Sequence, residues 1–568
     1  MSKPISVGID LGTTFSVAAY VNEAGQPEII TNQSQRDAVS LPSVVYYESE
    51  NSIVVGEPAL TEAEVSPNKV IRSAKRFIGE DYTPPSDVPQ DETPVKFEAK
   101  VLKALKKYVE EHSNGYVIKN AVITVPAYFT TNKVNLTREA AERADIEVLG
   151  IINEPMAAAI YYCAGQEPKN QKILVYDLGG GTFDSVIIEL CVSDGKTTIV
   201  TLADDGHHQL GGDNWDQCLM SYLLKQARLK NEEIPFDLSE LNPEDRQNLW
   251  KKANDLKQVL SDNEERTVRT LKFGDITVRD ITVTREAFEK ETEHLLRQTV
   301  NLVDSVLSMA ALSEADIDLV LLVGGSSFMP MVQKYARSKF GEDKVQLKEP
   351  NLAVAKGAAI YAQNMDYYLE NNIHPTNPSD DDDWPAEPVS TSLPSVLPKP
   401  APVFGDIEIK SIASHSLGVR FLNNGKYYVA NIIFKGDEYP KEIARDDFSS
   451  PNDGGFAAHF YENDSTDRED IPMIENRIAT GDDDSYMPLD NRYKMDYLGN
   501  LTFNNDGIRA GDQVKVTIIA SQHGSKGIVE HIPTGISDTI HFSNKHTGTV
   551  EEIEEDKQKL SNSTFALD

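Results

Sequence analysis

Cysteine is scarce in this chain: Cys163, Cys191 and Cys218 are the only three in 568 residues, scattered and odd in number. That argues against a disulfide framework and fits reduced thiols in a cytosolic compartment. Long apolar runs are missing as well. No stretch of about 18 apolar residues occurs, so no membrane-spanning helix is expected, and Met1 to Ile5 lacks the charged-then-apolar pattern of a secretory leader. The expectation is a soluble, cytoplasmic protein. Bases are outnumbered, 55 Lys and Arg against 90 Asp and Glu, leaving a formal charge of -35. Nucleic acid and anionic membrane surfaces repel such a chain, so direct binding to either is not expected and an adaptor would be needed.

What is present is a repeated segment. Asp10-Leu11-Gly12-Thr13-Thr14 and Asp177-Leu178-Gly179-Gly180-Gly181-Thr182 each follow an apolar run, Ile5 to Ile9 and Ile173 to Tyr176. Each places a carboxylate, glycines and hydroxyls at a strand end, the groups that a polyphosphate and its magnesium require. One such turn is usually only a tight turn; two in matching contexts indicate a nucleotide clamp.

The length allows about three or four domain-sized units. Up to about Asn364, β-branched runs alternate with helical stretches, an α/β pattern. Apolar periodicity predicts helices over Glu98 to Glu111, Lys133 to Ala144, Pro243 to Leu260 and Glu286 to Met309, the last two long enough for a helical lobe. Val320 to Val323 reads as a buried strand ending in a third turn, Gly324-Gly325-Ser326. Eight prolines and the run Asp380 to Asp383 then mark a semi-extended linker. Beyond it, Ile407 to Ile412, Leu417 to Leu422, Tyr427 to Phe434, Phe456 to Tyr461, Gln513 to Ile519 and Thr539 to Phe542 read as strands of a small β-domain. The resulting division is a nucleotide-binding domain at 1–370, a linker at 371–402, a β-domain at 403–550 and a charged tail at 551–568, too short for a helical subdomain.

With both hairpins, the chain resembles the 70-kDa heat-shock chaperones. Thr124-Val125-Pro126-Ala127-Tyr128-Phe129, Ile151-Ile152-Asn153-Glu154-Pro155, Leu210-Gly211-Gly212-Asp213 and Val323-Gly324-Gly325-Ser326 match that family's signatures in order, over roughly residues 4 to 365. The resemblance implies a duplicated actin-like (ribonuclease H-like) ATPase domain, then a linker and a small all-β sandwich; the family's helical lid has no counterpart. It implies ATP and Mg2+ as ligands, the metal held by Asp10 and Asp177 mostly through water, and the phosphates wrapped by Gly12, Thr13, Thr14, Gly179, Gly180, Gly181 and Thr182 with help from Gly211, Gly212 and Asp213. Lys75 matches the family lysine at the γ-phosphate, a solvated surface lysine being the alternative. Glu154, Thr182 and Asp184 match positions associated with hydrolysis. Pro126 matches an interdomain switch proline, though it can also simply end a strand.

Departures lie at the nucleoside end and in the coupling elements. Where the family grips adenosine with a Glu-x-x-Lys-Arg-x-x-Ser helix and an arginine, this chain has Asn254, Lys257, Gln258, Ser261 and Phe328, with Gly324, Gly325 and Ser326 in the turn and Asn351 in place of an aspartate. Phe328 is either a base-stacking face or a core residue. Val134 and Gly150 replace coupling arginines, and an Asp/Pro-rich tether, unable to add a strand, replaces a short acidic-leucine linker, so the switch reads as disconnected. Within the family the chain is most similar to the atypical, lidless heat-shock subunit of the fungal ribosome-associated complex. That resemblance implies a stable heterodimer with a zuotin-type J-domain protein, contact with the ribosome through that partner, and a second heat-shock chaperone that the pair stimulates on nascent chains. ATP is then a structural ligand, with hydrolysis slow or absent. The competing expectation is a conventional peptide-binding ATPase.

Overall fold

The computed structural model describes residues 3–370 and 407–566, apart from 32–37, 50–51, 113–114, 165–168, 194–195, 425, 440, 466–469, 476–485, 489–494, 522–523 and 543–548. The expected linker at 371–402 lies outside the described residues.

Two sheets repeat one plan. In lobe I, Lys3–Leu11 pairs antiparallel with Phe15–Val21, which pairs with Pro27–Ile29, while on its other side Tyr116–Val125 and then Val148–Asn153 run parallel. In lobe II, Gln171–Leu178 pairs antiparallel with Phe183–Ser193 and then Lys196–His207, with Leu319–Val323 and Val345–Gln346 parallel on the other side. Leu319–Val323 is apolar and buried throughout, and Gln171–Leu178 is apolar from Ile173 to Tyr176, as strands covered on both faces must be. The duplication puts Asp10 and Asp177 at equivalent strand ends, opposite Val17 and Asp184. Small residues bring the lobes together at their base. Helices Glu154–Ala164 and Ala353–Glu370 cross so closely that a Cβ on Gly357 would lie 1.7 Å from Ala157 O, and Ala157, Ala158, Ala159, Ala355, Ala358 and Ala359 are buried there.

The predicted helices are present as Pro94–His112, Thr131–Arg143, Pro243–Asp262 and Arg285–Met309. The last two join Gly212–Lys230 and the hairpin Glu265–Phe273 with Ile276–Thr284 around Trp215, Leu223 and Val283, extending lobe II into a helical part. The region after the linker is β-rich: a six-stranded and a four-stranded antiparallel sheet share one core that includes Val419, Phe460, Val516 and Phe542.

Three expectations are corrected. Ile407–Lys410 is a strand, but it extends the lobe II sheet, pairing parallel with Lys196–His207 from Thr197 to Val200, rather than entering the β-domain. Consequently the stretch directly after the linker, Ile407–Lys410, makes the strand contact with lobe II that the tether was expected to lack, and the β-domain docks on the lobes. Asp184 Oδ1 accepts from Ala127 N at 3.0 Å, and Ser414 Oγ lies 3.1 Å from Ala127 O and donates to Asp204 Oδ2 at 2.6 Å. Ala127 alone stands between a buried clamp carboxylate and the β-domain. Glu462 accepts from Thr131 N at 2.9 Å, and Asn135 donates to Phe542 O at 2.9 Å, extending the docked face. Third, the charged tail folds. Thr549 caps helix Val550–Asn562, reciprocated by Glu552, and Thr564–Ala566 pairs parallel with Ser52–Val55 at the edge of a lobe I sheet. Leu560 and Phe565 enter the lobe I core, Lys107 Nζ donates to Phe565 O at 2.8 Å, and Asp556 pairs with Arg143. Few apolar residues punctuate this charged segment, and their partners lie more than 400 positions away, so local pattern could not place it.

Candidate functional site

Both hairpin turns meet at the mouth of the interlobe cleft. A Cβ on Gly180 would lie 1.9 Å from Thr14 Oγ1, and one on Gly181 would lie 2.6 Å from Thr13 Cγ2, so the two tips touch and only glycine fits there. Ser43 buttresses the first tip, donating to Gly12 O at 2.8 Å while its amide donates to Thr14 O at 2.8 Å. The second tip is laced by backbone bonds from Gly212 N to Gly179 O at 3.0 Å and Asp213 N to Gly180 O at 2.7 Å. Gly324, in the left-handed region at φ 79, passes so near that a Cβ would come within 2.7 Å of Asp177 Oδ1, and Ser326 donates to Gly179 O at 2.9 Å. Asn351 Oδ1 lies 3.0 Å from where Gly325 would carry a Cβ.

Behind the tips sits a cluster of acid around one ammonium. Lys75 lies on the single turn Ala74–Phe77, after Ser73 in the left-handed region, and is buried. Its Nζ donates to Leu11 O at 2.5 Å and Glu154 Oε1 at 2.9 Å. Burial pulls its pKa down, but Glu154, Glu98 and Asp10 together hold it above the usual value. It is therefore no surface lysine. Burial, then Glu154, raise Asp10 to about 7 against the pull of Lys75 and of Thr124, whose hydroxyl donates to Asp10 Oδ1 at 3.4 Å. Asp177 is pushed well above the carboxylate range by burial, with Glu154 and Asp10 adding to the shift against Lys75. Asp184 is raised likewise by burial, Glu154 and Asp177, and its buried Oδ2 has no hydrogen-bond partner among the described residues.

One cation cannot hold this many buried carboxyls ionised, and a divalent ion would. Among the described residues no three Asp, Glu, His or Cys side chains form a metal cage. Mg2+, which keeps several waters and takes only one or two carboxylates, fits a site of two converging aspartates. The glycine tips, with no room for a Cβ, fit a close-lying polyphosphate, and the Asp184 oxygen left without a donor among the described residues fits the water shell of its metal. The residues present suit Mg2+ and ATP phosphates.

The nucleoside candidates are less open. Asn254 donates to Asp216 Oδ2 at 2.8 Å, Lys257 pairs with Asp216 Oδ1 at 2.8 Å and donates to Gly212 O at 3.0 Å, Gln258 donates to Asn254 Oδ1 at 2.8 Å, and Ser261 donates to Lys257 O at 3.2 Å. They brace the helix against the phosphate loop. Ser261 also borders a cavity of about 550 Å3 with the helix Pro330–Phe340. Phe328, just before that helix, is 41% exposed, so it is a free aromatic face rather than a core residue.

Sequence reasoning missed Ser43, Arg76 and Glu98. Arg76 donates to Gln209 O at 2.8 Å and pairs with Asp213, fastening lobe I to the Gly211–Asp213 turn. Glu98, only 1% exposed and with neither carboxyl oxygen hydrogen-bonded among the described residues, is raised by burial to about 7, Lys75 opposing. Its position beside Phe97 and one turn before Val101 and Leu102, on the apolar face of its helix, was the available signal. Gly150 packs against Met365, whose sulfur would lie 3.1 Å from a Cβ, so an arginine has no room there.

A family model described as Hsp70 protein matches residues 6–94 and 87–366. Similar proteins include the chaperone protein DnaK of Thermotoga neapolitana, 40% identical over 369 residues, and that of Thermosipho africanus, 40% identical over 365 residues. Each alignment covers 63% of this chain and 59% of the relative, so the chain spans under two thirds of the length of the curated relatives it matches. Among the described residues no helix is long and apolar enough to cross a membrane.

Proposed function

The chain belongs to the Hsp70 family, and from that premise we propose that it is an atypical member in which bound ATP braces the lobes with little or no hydrolysis. The observation that carries this reading is the double anchoring of the β-domain, by Ile407–Lys410 on the lobe II sheet and by the tail helix and strand on lobe I. An element fixed to both lobes resists the repeated opening that peptide capture and release demand. When bound, Mg-ATP supplies a triphosphate and a divalent charge at the cleft. Asp10 and Asp177 would hold the metal's waters, the two glycine tips the phosphates, and Lys75 the terminal negative charge. A ligand at about a thousand times its dissociation constant stabilises its bound form by roughly 4 kcal/mol, enough to keep the lobes closed without turnover.

We extend the proposal to partners. The acidic chain would form a stable heterodimer with a zuotin-type J-domain protein whose basic segments contact ribosomal RNA, and the pair would stimulate a second chaperone on nascent chains. Strands Lys441–Ser449 and Ile536–His541, at the two edges of the four-stranded sheet, suit pairing with a partner strand. A specific observation favours the cycling chaperone as the second reading. Glu154 orients Lys75, Asp184 is positioned to order water, and Ala127 connects Asp184 to Ser414 of the β-domain. A single-turnover assay with radiolabelled ATP separates the two. Retained triphosphate in the presence of the J-domain partner is expected; steady, partner-stimulated phosphate release would establish the cycling reading instead.

A further inference from the structure

Lobe I and the helical part of lobe II enclose a second cavity, about 750 Å3, beyond the clamp. Arg76 is the partition: it lines the cavity, and its Cγ would lie 2.8 Å from a Cβ on Gly181 of the phosphate turn. In a chain of net charge -35 the walls are cationic, with Arg72, Arg76, Lys225 and Arg246 against Asp213 and Glu291. Asp213 already accepts from Ser73 at 2.8 Å and pairs with Arg76. The side chains of Arg72, Lys225 and Arg246 have no ion pair or hydrogen bond among the described residues. Arg72 stacks on the Trp250 ring at 3.6 Å, which fixes its guanidinium plane, while its Nη1 is buried without an acceptor among the described residues, as is Nε of Arg76. Burial and the like charge of Arg246 pull Arg72 down to about 10, with Asp213 and Asp216 opposing.

Two held guanidinium groups with unmet buried donors, and two further cations at an exposed mouth, form a counter-ion site without its counter-ion. We propose that this cavity binds a small polyphosphate-type anion, distinct from the nucleotide in the clamp. The four cations less the two acids leave a formal charge near +2, which a compact dianion or trianion balances and a neutral or cationic ligand would worsen. Guanidinium matches phosphate oxygens in a bidentate fork, and the Trp250 stack pre-orders one of them. Because Arg72 and Arg76 belong to lobe I while Lys225 and Arg246 belong to lobe II, an occupant ties the lobes together and slows release of the nucleotide. This inference does not depend on whether that nucleotide is hydrolysed.

The test uses the full chain loaded with Mg-ATP, so that the clamp is filled, and radiolabelled pyrophosphate in equilibrium dialysis at constant free Mg2+. One saturable equivalent is expected, together with slower ATP dissociation. The Lys225→Gln/Arg246→Gln variant, altered only at the exposed mouth, should retain ATP and bind pyrophosphate about tenfold or more weakly, since two of the four cations lining the cavity are removed. Three results overturn the proposal: no saturable binding to the loaded chain, equal affinity in the variant, or binding only when ATP is absent, which would put the anion in the clamp.

Discussion

Replacing Glu98 by glutamine should stabilise the nucleotide-free chain at pH 8 and leave it nearly unchanged at pH 5. The carboxyl is 1% exposed, makes no hydrogen bond among the described residues, and is held at about 7 instead of 4.5 by burial, with Lys75 opposing the shift and Glu154 adding to it. A carboxyl whose folded pKa is raised favours folding when protonated. Its cost is absent below the unfolded value, grows as pH rises from 4.5 to 7, and is complete above 7. At 1.36 kcal/mol for each pH unit in that window, the full cost is about 3 kcal/mol. Glutamine keeps the shape and removes the charge, so the cost disappears. For a lobe-sized cooperative unit, 3 kcal/mol corresponds to a Tm rise of roughly 5 to 10 °C. Scanning calorimetry of E98Q and the parent in EDTA at both pH values provides the comparison. A Tm that falls by the same amount at pH 5 and pH 8, or falls only at pH 8, would show that Glu98 is an ionised partner of Lys75, and the reasoning would be wrong.

Other perturbations probe the remaining links. Deleting 549–568 should speed amide exchange in Ser52–Val55 and destabilise lobe I, because burying Leu560 and Phe565 contributes roughly 1.5–3 kcal/mol each; unchanged protection would mean that the tail is a passenger. Asp10→Asn should weaken Mg-dependent ATP binding about a hundredfold, as removing one partner of a buried charge pair costs 2–5 kcal/mol, and titration calorimetry showing equal affinity would remove Asp10 from the metal site. Ser414→Ala leaves the buried Asp204 oxygen without its donor, at a cost of about 1–3 kcal/mol. Proteolysis between the domains should accelerate; identical cleavage rates would show that this contact does not hold the docked face.

How legible the molecule was depends on the range of the interaction involved. Asp10 and Asp177 were readable because each hairpin writes its strand, turn and carboxylate within a dozen consecutive residues, and the repetition itself was evidence. The long helices were readable from periodicity for the same reason. Ile407–Lys410 looked like any other β-domain strand, since period-2 alternation does not say which sheet edge accepts it. Arg72 and Trp250 are 178 positions apart in a sequence full of charge, and nothing local marks one as the stacking partner of the other. Asn254 and Lys257 were reached only through the resemblance to the family's nucleoside helix, and that they face Asp216 depends on how two helices pack.

The central claim is that the two aspartates and the paired glycine tips hold a magnesium-bound triphosphate as a lasting part of the fold. Nucleotide extracted from freshly purified chain and counted by phosphate content tests it most directly. The expected result is close to one intact ATP per chain with Mg2+, lost in Asp177→Asn. Chain that purifies free of nucleotide yet remains folded and bound to its partner, or that carries only diphosphate, would contradict it.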